Sequence, residues 1–160
     1  MDPALGSIAN EFNRLALQYF ALFVGPPTDK IAWLGRVEVA IAELYAAALR
    51  LPPTEPSEDD APDMPLEDRS RLMAEAIERI GGDSIFYSFV FHPLEPTEDP
   101  VGGTLADDLA SIYEDLYPGV ELFGAGGSHQ DVIWTWRFNF QVHWGRHALG
   151  ALQALSALLR

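Results

Sequence analysis

Hydrophobic residues in this chain return every three or four positions, in stretches cut short by proline and glycine, and that rhythm commits it to helices. Ile8, Phe12, Leu15, Tyr19 and Leu22 share one face of a helix that begins near Ser7 and stops at Gly25-Pro26-Pro27. Thr28 is then placed to cap a second helix, with Asp29 at the positive end of its dipole. Its inward stripe is Trp33, Leu34, Val37, Ile41, Leu44, Tyr45 and Ala48, and Leu51-Pro52-Pro53 ends it. Pro65 to Ile80 reads as a third helix, with Leu66, Met73, Ile77 and Ile80 inward and Gly81-Gly82 as its stop. The apolar run from Asp83 to Phe91 fits helix or strand by period. A single strand would lack a partner, so a short helix ending at His92-Pro93 is expected.

Thr104, after two glycines, is the expected N-cap of the next helix, with Asp107 completing a variant of the capping box. Leu105, Leu109, Ile112 and Leu116 form its core stripe, and Tyr117-Pro118-Gly119 is its expected end. A glycine-rich turn over 124–127 leads to a long last helix from about Asp131 to Leu159. The fold class expected is therefore all-α: one domain over 1–160, an antiparallel bundle of five to six helices with a long C-terminal helix. Between its second and third helices lies an acidic, proline-rich loop, 54–68, expected to be flexible.

Charge narrows the partners. Ten basic residues stand against 24 acidic ones, a net charge of −14, and seven of the acidic residues lie in 54–68. Phosphate binding needs clustered Lys and Arg, and this chain has one lysine and scattered arginines. Nucleic acid and anionic membranes are excluded as expected partners; a basic protein, a divalent cation or another copy of the chain fits better. No cysteine is present, which removes disulfides, thiolate metal sites and thiol nucleophiles. With a start, Met1-Asp2-Pro3, that carries no basic region ahead of its apolar residues, this points to a cytoplasmic protein.

The last helix holds most of the residues with chemistry to offer. Ile133, Phe140, Trp144, Ala151 and Leu155 line one stripe, and Arg137 and Gln141 fall on it. A guanidinium there calls for a carboxylate, and Asp108 or Asp115 is the expected partner of Arg137. Asn139, His143, Arg146, Gly150 and Gln153 take the opposite face. His143 and His147, four residues apart, are spaced to put two nitrogens on one metal ion, with Asp108 or Asp115 to complete the shell. Asp108 and Asp115 are about 10 Å apart along a helix and do not readily share one ion. Trp134, Trp136, Trp144, Phe138 and Phe140 read as core or interface aromatics.

Two stretches carry a family resemblance: Pro100-Val-Gly-Gly-Thr-Leu-Ala-Asp-Asp-Leu-Ala-Ser-Ile-Tyr-Glu-Asp-Leu116, and Phe138-Asn-Phe-Gln-Val-His-Trp-Gly-Arg-His-Ala-Leu149. Together they resemble a bacterial family known as domain of unknown function 5063. The resemblance implies a bacterial helical domain and transfers no activity. Its matching positions Asp108, Asp115, Trp144 and His147 are the expected shared site, while His92 departs from the acidic residue usual before the proline. The functional expectation is a non-enzymatic interaction or scaffold module with an acidic surface, working without a cofactor. The alternative is a metal-dependent enzyme using His143 and His147 with Asp108 or Asp115, where Arg137 would hold an anionic substrate.

Overall fold

The computed structural model describes residues 3–57, 60–82, 84–95 and 97–160. Among these residues six α-helices and two strands follow one another: α1 (Pro3–Ala21), α2 (Lys30–Ala48), α3 (Leu66–Ile80), β1 (Phe86–Phe89), β2 (Val101–Thr104), α4 (Leu105–Gly124), α5 (His129–Asn139) and α6 (Gly145–Leu159). A π-helical turn, Phe140–Trp144, joins α5 to α6 so that the three run on as one helical stretch. Mostly helical is thus the right class, with one small sheet added.

The inward stripes form the core. Phe12, Leu15 and Tyr19 of α1, Trp33, Leu34, Val37, Ile41, Leu44 and Ala48 of α2, and Leu105, Leu109, Ile112 and Leu116 of α4 are all buried. Ile133, Trp144, Ala151 and Leu155 close it from the C-terminal side. Trp33, Trp136, Trp144 and Tyr19 are among the largest side chains fully enclosed, and each polar aromatic that reaches a carbonyl stays there without cost. Tyr19 donates its hydroxyl to Leu109 O at 2.8 Å, and Trp33 its indole N–H to Leu22 O at 2.8 Å.

Several expectations change. The stretch over 83–91 is no helix where it is described: β1 pairs antiparallel with β2, Phe86 opposite Thr104 and Phe89 opposite Val101. The partner strand was hidden because it reads Val-Gly-Gly-Thr, a poor strand former. Its glycines have a use, since a Cβ at Gly102 would run into the Phe86 ring lying across it. Helix α2 is capped by Asp29, not Thr28, with the carboxylate accepting from Ala32 N at 2.8 Å. In α3 the buried residues are Leu72, Ala76, Arg79 and Ile80, while Leu66 and Ile77 face solvent. That helix is turned because Arg79 goes inward: it pairs with Glu75 at 2.5 Å, donates to Gly25 O at 2.6 Å and lies over the Trp33 ring.

Helix α4 also runs through Pro118 to Gly124 instead of ending at 117–119. A proline inside a helix disturbs the turn before it, and α5 serves the carbonyls there. Asn139 Nδ2 donates to Asp115 O at 2.9 Å and Trp136 Nε1 to Leu116 O at 3.1 Å. Gly119 makes room for that indole, because any Cβ there would collide with it. The acidic segment is held at its start. Ser57 donates through N and Oγ to the two Asp131 oxygens, each at 2.5 Å, while Thr54 Oγ1 donates to Gln130 O and Gln130 Nε2 to Glu55 O.

Candidate functional site

Helix α4 presents Asp108 and Asp115, two turns apart, to the π-helical turn and the start of α6. The two helical stretches run in opposite directions, so the earlier aspartate pairs with the later histidine. His143 Nδ1 lies 2.7 Å from Asp115 Oδ2, and His147 Nδ1 lies 2.9 Å from Asp108 Oδ1. The far nitrogens of the two rings, both Nε2, meet at 3.2 Å. From the side of the hairpin, Tyr87 donates its hydroxyl to Asp108 Oδ2 at 2.6 Å. Five side chains therefore form one continuous polar arch, Asp115, His143, His147, Asp108 and Tyr87.

Burial grades along the arch. Asp108 is 5% exposed and Asp115 keeps 18% of its side-chain surface, whereas the His147 and His143 side chains keep 23% and 45%. The carboxylates lie beneath and the imidazoles open to solvent. Burial raises the carboxyl pKa of Asp108, against the pull of hydrogen bonds from His147 and Tyr87. Burial raises that of Asp115 too, opposed by its bond to His143. The Tyr87 hydroxyl is pushed well above the ordinary phenol range, first by burial and then by its bond to Asp108, where a second negative charge would be unwelcome.

The local backbone is unusual at this point. Residues 140–144 form a π turn, a wide turn often found at functional sites, and Gly145 permits it. Its N–H closes the turn on Phe140 O, and a Cβ at 145 would lie 2.6 Å from that oxygen. Over the rim, the Arg146 guanidinium sits 4.1 Å above the Phe91 ring, a cation–π contact fixing the hairpin's far end to α6.

The structure thus brings Asp108, Asp115, His143 and His147 together and leaves two other candidates outside. Arg137 forms no ion pair among the described residues; its Nη1 reaches only Gln141 Oε1, at 3.5 Å. The expected Arg137 pairing with Asp108 or Asp115 is corrected, because the histidines occupy both carboxylates. Trp144 lies wholly in the core, edge-on to Phe140 at 4.9 Å. Tyr87 was missed because its segment read as helix. Its sequence carries no period-two signal, since Phe86 on the exposed face is as apolar as Tyr87 and Phe89 on the other.

Compared with known proteins, the chain matches the profile of the family described as Domain of unknown function (DUF5063) over residues 4–160. No curated protein matches it. In fold it is similar to the crystal structure of protein BF1032 from Bacteroides fragilis, with a TM-score of 0.75 and 21% identity over 93% of each chain. At that identity the likeness concerns the fold alone.

Proposed function

For a chain that belongs to the DUF5063 family, which assigns no activity to carry over, we propose a non-enzymatic binding module whose working face is the β1–β2 hairpin beside the histidine arch. One observation carries this reading. Leu94 is 94% exposed and Phe86 66%, on a hairpin that also shows Phe91 and Val101 to solvent. Apolar surface gathered on one element is a mark of recognition surfaces. Glu95 and Asp99 lie exposed in the same connection, and the whole chain carries −14. An extended segment alternating basic and apolar residues complements such a face, and β1 and β2, paired among the described residues only with each other, leave edges for a third strand. Like charge disfavours a second copy of the chain at the same face.

The test is an NMR titration of the isotope-labelled chain with a synthetic peptide alternating lysine and leucine. Amide shifts confined to 86–104, weakening as salt rises, are expected. A Phe86→Ser/Leu94→Ser variant, altered only at exposed positions, should lose them. Shifts scattered over the acidic surface, or unchanged in the variant, would refute the reading. A second reading, chemistry at the histidine pair, is favoured by the meeting of two Nε2 atoms at 3.2 Å.

A further inference from the structure

The carboxylates settle where the ring protons are. An ionised carboxylate only accepts, so Nδ1–H of His143 donates to Asp115 and Nδ1–H of His147 donates to Asp108. Each ring then offers the lone pair of Nε2, and the two Nε2 atoms lie 3.2 Å apart. Two acceptors at hydrogen-bond distance repel unless a cation lies between them. We propose that the cation is a divalent first-row transition-metal ion, with Zn²⁺ as the reference case, ligated by Nε2 of His143 and Nε2 of His147.

Three observations support a metal. The first is distance. Two nitrogens bonded at 2.0–2.1 Å to a tetrahedral ion lie about 3.3 Å apart, against 3.2 Å here. The rings meet at 69° and do not stack, which leaves the point between their nitrogens approachable. The second is the outer shell. Metal-bound histidines generally donate their other N–H to a carboxylate or carbonyl, which fixes the tautomer and raises the ring's basicity. Here both rings have that support, and the two carboxylates offset the two charges of the ion. Asp108 and Asp115 accordingly orient the ligands and are not ligands, which removes the difficulty of their separation along α4.

The third is access. The more exposed ring, His143, opens the site to solvent. Among the described residues no group of three histidine or acidic side chains converges on one point. Two protein nitrogens therefore hold the ion, and water or an incoming donor fills the remaining positions. Imidazole donors select Zn²⁺, Ni²⁺, Cu²⁺ or Co²⁺ over Mg²⁺ and Ca²⁺, which require oxygen ligands.

The experiment is calorimetric titration of the chelator-stripped full chain with Zn²⁺, repeated with Co²⁺ and read by its visible absorption. One ion per chain is expected, with the strong absorption of tetrahedral Co²⁺. His143→Gln and His147→Gln should abolish the heat; should His147→Gln disturb folding, the more exposed His143→Gln decides alone. Asp115→Asn should weaken binding about 10–100-fold with an unchanged far-ultraviolet spectrum. His92→Gln, which alters a histidine bonded to Glu98 elsewhere, should bind as the parent does. No heat with the parent chain, heat that survives His143→Gln, or heat lost in His92→Gln would overturn the proposal, and the first would leave a shared proton between the rings. The Phe86→Ser/Leu94→Ser chain should bind Zn²⁺ normally, so failure of the docking reading and failure of this one are separately visible.

Discussion

Replacing a glycine in the middle of an exposed helix with alanine ordinarily stabilises a protein by about 0.5–1 kcal/mol, because alanine has less backbone freedom to lose. Gly150 of α6 has ordinary helical backbone and is only half-buried, so Gly150→Ala is a candidate for that gain. The structure predicts the reverse sign. A Cβ at 150 would overlap the Tyr87 hydroxyl, which donates to buried Asp108 at 2.6 Å. Expelling that hydroxyl costs a hydrogen bond to a charged acceptor, about 1.5–3 kcal/mol. Set against the helix gain, Gly150→Ala should destabilise the chain by roughly 1–2 kcal/mol. Tyr87→Phe alone should cost about 1.5–3 kcal/mol, since it removes the same bond. In that background the oxygen is gone and only the ring carbon Cζ, at 3.2 Å, is close, so the helix gain should return. The four chains, unfolded in urea and followed by circular dichroism, close a double-mutant cycle with a coupling of about 1.5 kcal/mol or more. A parent chain stabilised by Gly150→Ala, additively with Tyr87→Phe, would refute the placement of the hairpin over the arch.

Two further outcomes follow from buried polar groups away from the arch. Asp131, 2% exposed, accepts from Ser57 N, Ser57 Oγ and Ser128 Oγ, so Asp131→Ala should cost about 3 kcal/mol and expose 54–57 to limited proteolysis before the helices yield. An unchanged cleavage pattern would mean that Asp131 does not anchor the segment. Burial also holds the Tyr19 hydroxyl protonated well above its usual range, whereas in the unfolded chain it ionises near about 10. The folded form then binds more protons, so unfolding free energy should fall as pH rises beyond about 10, and Tyr19→Phe should flatten that slope.

What could be read from sequence depended on whether local pattern or distant contact decides a residue's place. The stripes of α2 and α4 were legible residue by residue, since burial there follows the helical repeat alone. Helix α3 was not. Its orientation answers to Arg79 reaching Gly25 O and the Trp33 ring, contacts across 54 and 46 positions that no window contains. The continuation of α4 beyond Pro118 likewise rests on side chains from α5. The hairpin failed to show because one strand is half glycine, and those glycines are explained only by the Phe86 and Phe89 rings that cover them. Among the site residues, the two histidines and two aspartates were found by spacing, while Arg137 was assigned to carboxylates that the histidines already hold.

That spacing also explains why the rings converge. Seven residues separate the aspartates on α4 and four separate the histidines, which at 1.5 Å per residue are about 10 Å and 6 Å of helix. Had the intervals been equal, each Asp–His pair would lie level and the two rings would run parallel, one helical turn apart. Because the outer pair is wider, each imidazole that keeps its Nδ1 on its carboxylate turns that edge outward and its Nε2 edge inward, and the two Nε2 atoms meet at 3.2 Å. The π turn places His143 in a widened turn and His147 in the regular helix beyond it. Convergence is therefore a consequence of unequal intervals on antiparallel helices, and the distance it produces is the distance at which two imidazoles share a cation.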